Sequence, residues 1–385
     1  VELDRRMCSG YTKSSVETVS RYRVSFVVSA TVLGHTTSYV IYRAEGNRIA
    51  RNWLKNVSAE ISHMEEQGMQ FKTCVVTGGA GFIGSHLVKR LIGEGVRVRV
   101  IDNLTSGTMD NLEDVLDSKL LEFVQGDIRD PDCLRQVFHG SHVVFHQAAL
   151  TSVPASVDDP FSTHEVNITG TLNVLSIAEE CSVHRVVLAS SSAVYGSSTE
   201  LPNSEGKCPH PESPYAISKC TGEQYARFFS RYKGVETVCL RYFNVYGPMQ
   251  NPRSQYAAVV PIFITKMLQG NSPVIYGDGE QTRDFIYVDD VVKANLLAAS
   301  TPDVSGEAFN IASGESLNVN QIVKILNQVL GTNLEPEYQA ERKGDVRHSS
   351  ASIEKARNML GFVPSVTFEE GLKRTVEWYE MQARR

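Results

Sequence analysis

The sequence is poor in the features that mark several common protein classes. Its seven cysteines (Cys8, Cys74, Cys133, Cys181, Cys208, Cys220 and Cys239) are odd in number, and no two have zinc-like or redox-motif spacing. They read as free thiols in a reducing cytosol. The histidines are scattered without ligand spacing, so no metal site is expected. There is no polybasic run, and the formal net charge is -6 with a pI near 6.0. That balance argues against nucleic acid as the main partner and against a membrane surface. The mixed stretch from Val24 to Tyr42 is interrupted by Ser, Thr and His35 and is too polar for a membrane span. Glu2 and Asp4 near the start, with no cleavage pattern after them, do not suit a signal peptide. Internal repeats and low-complexity tracts are also missing. A cytoplasmic protein is expected.

What is present begins at residue 71. The 385 residues suffice for a large core and more than one lobe. We expect residues 1–70 to be an amino-terminal extension. Either it packs on the rest, or it lies upstream of a natural start at Met64 or Met69; the second reading is favoured. From Phe71 the chain alternates short apolar runs with helical patterns. The runs are Cys74–Val76, Val96–Ile101, Leu121–Val124, His142–His146, Val186–Ala189 and Thr237–Leu240. Strands spaced by helices imply an α/β fold with a doubly wound parallel sheet, Rossmann-like. A domain over residues 71–245 is expected. A smaller α/β carboxyl-terminal lobe should follow over 246–385, with the chain crossing back to the sheet. Helical patterns there cover Val259–Leu268, Asn318–Leu330 and Phe368–Tyr379.

The most informative segment is Thr77-Gly-Gly-Ala-Gly-Phe-Ile-Gly84. It follows the first strand and opens a helix with Ile83, Leu87 and Leu91 on one face. Gly78, Gly81 and Gly84 allow a tight turn and a close approach of backbone to a pyrophosphate. Amide groups at the helix start would hold the anion. Asp102, about 20 residues on at the end of the second strand, suits an adenosine ribose 2′-hydroxyl and would repel a 2′-phosphate. NAD is therefore favoured over NADP. Ligands of such sheets collect at the carboxyl ends of the strands, where Asp127, Ala148 and Ser190–Ser192 fall.

Tyr215 and Lys219 lie one helical turn apart and so share a face. A free tyrosine has a pKa near 10. Reaching neutrality takes about 4 kcal/mol of differential stabilisation, which a lysine cation and a nicotinamide cation could share. Upstream, Ser190-Ser-Ser-Ala-Val-Tyr-Gly196 offers hydroxyls at a strand end.

With these motifs in order, the chain from about Phe71 to Trp378 resembles the extended short-chain dehydrogenase/reductase family, and within it the nucleotide-sugar 4-epimerases. Asp102-Asn103, Gly126–Asp130, Arg241–Pro248, Gly277–Phe285 and Arg342–Ser349 add to the likeness. The resemblance implies that Tyr215 is base and acid at the sugar 4-hydroxyl. Lys219 would tune Tyr215 and bind the nicotinamide ribose, and Ser191 would polarise the hydroxyl. Asp127 and Ile128 would flank the adenine, and Phe82, Ile83, Asn103, Gln147, Ala148 and Ala149 would complete the cofactor site. Asn244, Arg283 and Arg342 would hold a UDP pyrophosphate, since a guanidinium fork matches phosphate oxygens. Asp345 would take the uridine ribose, and Ser152, Ser192 and Tyr276 would also contact substrate.

The implied reaction oxidises C4 transiently, lets the 4-keto sugar turn over and returns the hydride to the opposite face. In the family, a small residue at the position of Ser349 is taken to admit a 2-acetamido group. That leans toward UDP-GlcNAc/UDP-GalNAc, alongside UDP-Glc/UDP-Gal. Met249 and Ala155 stand where many relatives carry arginine and weaken the lean. The alternatives are a UDP-glucuronate 4-epimerase or decarboxylase and, from another class, a non-catalytic NAD-binding sensor or scaffold. Ser192-Ala193 offers no carboxylate for the decarboxylase chemistry. Helices near 164–183 and 215–232 could pair across the twofold axis of a homodimer.

Overall fold

The computed structural model describes residues 24–32, 35–42, 71–198, 200–252, 258–341 and 347–384, the first two ranges as backbone only. The chain forms two compact units, Val1–Gln70 and Phe71–Arg385. In the first, β1 (Val24–Val32) pairs antiparallel with β2 (His35–Tyr42). Met64 and Met69 lie outside the described residues.

The second unit is built on a seven-stranded, wholly parallel sheet. Its strands are β3 (Thr73–Thr77), β4 (Arg97–Asp102), β5 (Leu121–Gln125), β6 (Val143–His146), β7 (Arg185–Ser191), β8 (Glu236–Tyr242) and β12 (Glu307–Ile311). Their order is β5-β4-β3-β6-β7-β8-β12. The order reverses between β3 and β6, and ligands of open parallel sheets bind at such a switch point. The central strands are buried on both faces: every residue of β6 is buried, as are Cys74–Thr77 in β3. That is why they read as continuous apolar runs.

The crossover helices are amphipathic and bury one stripe each. Leu87, Val88 and Leu91 of α1 (Phe82–Gly93) are fully buried. Full burial of each such side chain contributes about 1.5–3 kcal/mol. α2 (Pro131–Phe138) starts at Asp130, whose side chain caps the first turn. α3 (Gly170–Glu180) and α4 (Pro214–Tyr232) cover the face beyond β6 and β7. Ser213 caps α4 and Pro214 occupies its first turn, so the helix start is fixed next to Tyr215.

The carboxyl-terminal part adds a three-stranded sheet of β9 (Asn244–Tyr246), β11 (Thr282–Tyr287) and β13 (Ser316–Asn318), in the order β13-β11-β9. A parallel pair joins β10 (Val274–Tyr276) to β14 (Glu337–Gln339). These pack with α5 (Val259–Leu268), α6 (Val288–Ser300), α7 (Val319–Leu330) and α8 (Phe368–Arg384). Their shared core includes Tyr246, Phe263, Phe285, Ile322, Leu326 and Leu372. Asn318 and Gln321 form a reciprocal capping box at the start of α7. Among the described residues no helix is long and apolar enough to cross a membrane.

Candidate active site

The glycine turn sits against the end of β6. Gly78 adopts φ +70, and a Cβ built there would lie 2.7 Å from the Ala148 amide nitrogen. A Cβ on Gly84 would come within 2.1 Å of the Gly78 carbonyl oxygen. Gly81 is the N-cap of α1 and supplies no side-chain cap. The first amides of α1 therefore have no side-chain cap, which fits a bound pyrophosphate. Phe82 and Ile83 in this first turn pack toward the carboxyl-terminal core.

Asp102 ends β4 and is buried. Its Oδ2 accepts the Ala80 N–H at 2.9 Å and its Oδ1 the Leu104 N–H at 2.8 Å. These bonds fix the carboxylate beside the turn and leave lone pairs for a ribose hydroxyl. Asn103 donates to Asp127 Oδ2 at 3.0 Å. Asp127 also accepts from the Arg129 guanidinium, which brings its pKa down to about 2. Ile128 is buried against Gly170. Gln147, Ala148 and Ala149 follow β6. The Gln147 amide, however, is turned inward to Tyr242 and Asn295, at 3.2 and 3.0 Å, which anchors the strand end.

β7 delivers Ser191, and α4 delivers Tyr215 and Lys219. Ser191 Oγ caps the short 3₁₀ turn Ser192–Tyr195 by accepting the Ala193 N–H at 3.2 Å. The backbone N–H of Tyr215 donates to Ser156 Oγ at 3.1 Å. Ser156 belongs to the short helix Val153–Asp158, capped by Ser152. Ser152 thus reaches the site indirectly, by fixing the helix that fixes Tyr215.

Lys219 Nζ donates to the Ala189 carbonyl at 2.8 Å and lies 5.8 Å from the Tyr215 ring centre. Burial pushes the Tyr215 phenol up, while the hydrogen bond from Ser191 acts in the opposite direction. Burial also brings Lys219 down to about 8. Ser191 lowers the phenol, and a nearby cation would act in the same direction.

Behind this group lies a buried ion pair. Arg241 donates to both oxygens of Glu223, at 2.8 and 2.7 Å, and to the Tyr195 hydroxyl at 2.8 Å. Ser190 donates to Glu223 at 2.6 Å, and the Tyr195 hydroxyl donates to Asn310 at 2.7 Å. The serine-run turn is thereby tied to α4, β8 and β12.

Asn244, Tyr276 and Arg283 come together in a cavity of about 390 Å³ between β9, β10, β11 and α5. The Asn244 amide donates to the Asp284 carbonyl at 2.8 Å. Asp284 is itself buried and accepts from Ser313 and Gly314, which holds β11 in place. Ser349 is held by its backbone N–H to the Thr282 carbonyl at 3.0 Å, next to Arg283. Ser192 stays on the 3₁₀ turn. Arg342 and Asp345 lie outside the described residues.

Val260, Phe263, Gln281 and Phe285 also line the cavity; the sequence placed Gln281 and Phe285 in the Gly277–Phe285 motif but gave none of the four a role in the site. The helix pattern at Val259–Leu268 was legible, but not the face it turns to the cavity. Ser156 and Glu223 were missed as well; neither belongs to a motif with a chemical meaning of its own.

The sequence model of the NAD dependent epimerase/dehydratase family matches residues 74–312. The UDP-N-acetylglucosamine 4-epimerase of Methanobrevibacter ruminantium M1, solved in complex with UDP-N-acetylmuramic acid, is 43% identical with a TM-score of 0.78. The match covers 82% of this chain and 100% of that one. The UDP-glucose 4-epimerase of Thermotoga maritima, solved with UDP-glucose, is 43% identical with a TM-score of 0.77, covering 81% and 99%. The UDP-glucose 4-epimerase of Mycolicibacterium smegmatis is 39% identical over 307 residues, 79% of this chain and 97% of that protein.

Proposed function

Because the chain belongs to the NAD-dependent epimerase/dehydratase family, we propose that it is a 4-epimerase of UDP-hexoses. What supports this is the grouping of Ser191, Tyr215 and Lys219, together with a glycine turn at the switch point of the sheet.

NAD, when bound, supplies the acceptor and donor of the C4 hydride. The chain's own groups do the rest. The amides at the start of α1 hold the pyrophosphate, and Asp102 takes the adenosine ribose and repels a 2′-phosphate. Asn103, Asp127 and Ile128 border the adenine. Tyr215 takes the O4 proton and later returns it, with Ser191 hydrogen-bonded to the same oxygen. Lys219, fixed by Ala189, binds the nicotinamide ribose. Asn244, Tyr276 and Arg283, together with Arg342 and Asp345, grip the uridine diphosphate while the hexose turns over. A firm hold on UDP and a loose hold on the sugar suit a reaction in which both epimers must fit.

The small side chain of Ser349, whose backbone is bonded to Thr282 next to Arg283, suits a 2-acetamido group. UDP-GlcNAc/UDP-GalNAc is therefore the preferred pair, with UDP-Glc/UDP-Gal also accepted. Exposed apolar side chains on neighbouring helices, Val157, Phe161, Ile217, Phe228 and Tyr232, support pairing of two copies. The free thiols suit the cytoplasm. Assays across the four UDP-sugars and UDP-glucuronate test the reading: interconversion within either neutral pair supports it, and conversion of UDP-glucuronate alone would refute it.

A further inference from the structure

A run of hydrogen bonds crosses the core from the dinucleotide turn to the helix that carries Tyr215. The Ala148 N–H donates to Thr77 Oγ1 at 3.2 Å. Thr77 Oγ1 lies 2.8 Å from His146 Nδ1, and His146 Nε2 lies 2.9 Å from Thr171 Oγ1. The Thr171 hydroxyl donates to the Asn167 carbonyl at 2.6 Å. The Asn167 side-chain amide donates to Ser218 Oγ at 3.1 Å, and Ser218 donates to the Tyr215 carbonyl at 2.7 Å. Thr77, His146, Asn167, Thr171 and Ser218 are all buried.

The direction of each bond follows from counting protons. A hydroxyl carries one. That of Thr171 is committed to Asn167, so Thr171 must accept from His146 Nε2–H. In a neutral imidazole the other nitrogen is an acceptor, so Thr77 donates to Nδ1 while accepting from Ala148. Burial and the Lys219 charge bring His146 down to about 3, which keeps the ring neutral. The donors all point the same way, and in such a chain each bond polarises the next. Asn167 joins the two halves. Its side chain also brackets Leu150, accepting the N–H and donating to the carbonyl, each at 2.8 Å.

We propose that His146, as its Nε2–H tautomer, is a positioning residue that fixes the separation between the Ala148 wall of the dinucleotide cradle and the Tyr215 end of α4. This rests on the reading of Tyr215 as the proton-transfer group. An apolar ring of the same shape would leave the Thr77 hydroxyl buried with no acceptor on that side and would break the run at its middle.

Two measurements on the full chain test it. The first uses ¹⁵N-histidine labelling, with His146→Gln identifying the His146 signals. The imidazole should show a proton on Nε2 and a bare Nδ1 throughout the range of about pH 5 to 8, where an ordinary histidine titrates. Titration in that range, or a proton on Nδ1, overturns the proposal whatever the turnover. The second is kinetic. His146→Phe should lower kcat about ten- to a hundredfold, the scale of a small misplacement of reacting groups, with KM for the UDP-sugar within about twofold. His146→Gln, which offers an acceptor and a donor side by side, should restore most of the loss. An unchanged kcat in the phenylalanine variant, or glutamine no better than phenylalanine, overturns the proposal. If His146→Phe does not fold, Thr77→Val and Ser218→Ala at the two ends of the run decide. Their effects on kcat should be non-additive by about threefold or more; additivity counts against the run.

Discussion

Lys219 Nζ lies 5.8 Å from the centre of the Tyr215 ring and is bonded to the Ala189 carbonyl instead of the phenol. The ammonium is thus anchored to β7, beside the Tyr215 ring. Its buried position brings its pKa from 10.5 down to about 8. Between those values the unfolded chain holds the proton that the folded chain has released, so this group makes stability rise with pH. Lys219→Met should remove that rise. Urea midpoints of wild type and variant, measured at both ends of the window, check it: wild type should lose stability relative to the variant as pH falls toward about 8.

Gly78→Ala should abolish cofactor retention. The new Cβ would sit 2.7 Å from the Ala148 amide nitrogen in a backbone with φ +70, where a side chain is strained whatever the space. The purified variant should carry little NAD by mass spectrometry of released nucleotide, and activity should fall with occupancy.

The sheet's first half was legible because its strands are buried on both faces and its turns carry glycines with a conformational reason. Cys74–Val76 and His142–His146 are such runs. β12 was not legible as the seventh strand: Glu307–Ile311 arrives far along the chain, and nothing in five residues says which edge they join. The motif from Arg241 to Pro248 was read as one unit, yet it divides between the main sheet and the small sheet at Phe243. Tyr215 and Lys219 stand out by helical spacing. Ser156, Glu223 and the cavity wall of α5 do not, because their roles depend on which element is folded against them.

The Glu223–Arg241 pair is fully buried, so breaking it from one side should cost much more than replacing both partners. Glu223→Gln leaves the guanidinium without its charge partner and should lower stability by about 3–5 kcal/mol. A Glu223→Leu, Arg241→Met double variant should lose less. Denaturant titration of the single and double variants checks the order; a double variant that loses as much as Glu223→Gln or more would contradict it.

Ser349→Tyr should narrow the substrate range. Its backbone is held at the start of β11, so a bulky side chain there cannot withdraw by moving the strand. Conversion of the acetamido pair should fall about a hundredfold or more, with UDP-Glc/UDP-Gal conversion within about threefold. Equal loss for both pairs, measured by product chromatography, would remove Ser349 from any gating role.

The most direct test of the account follows the hydrogen on C4. UDP-GalNAc carrying deuterium at C4 is mixed with the purified protein, with no cofactor added, and the UDP-GlcNAc formed is examined by mass spectrometry. Transient oxidation with return of the same hydride predicts product that keeps its deuterium at C4, and a Tyr215→Phe variant that binds the sugar nucleotide but forms little product. Product that has exchanged its C4 deuterium for solvent hydrogen, or full activity in the Tyr215→Phe variant, would contradict it.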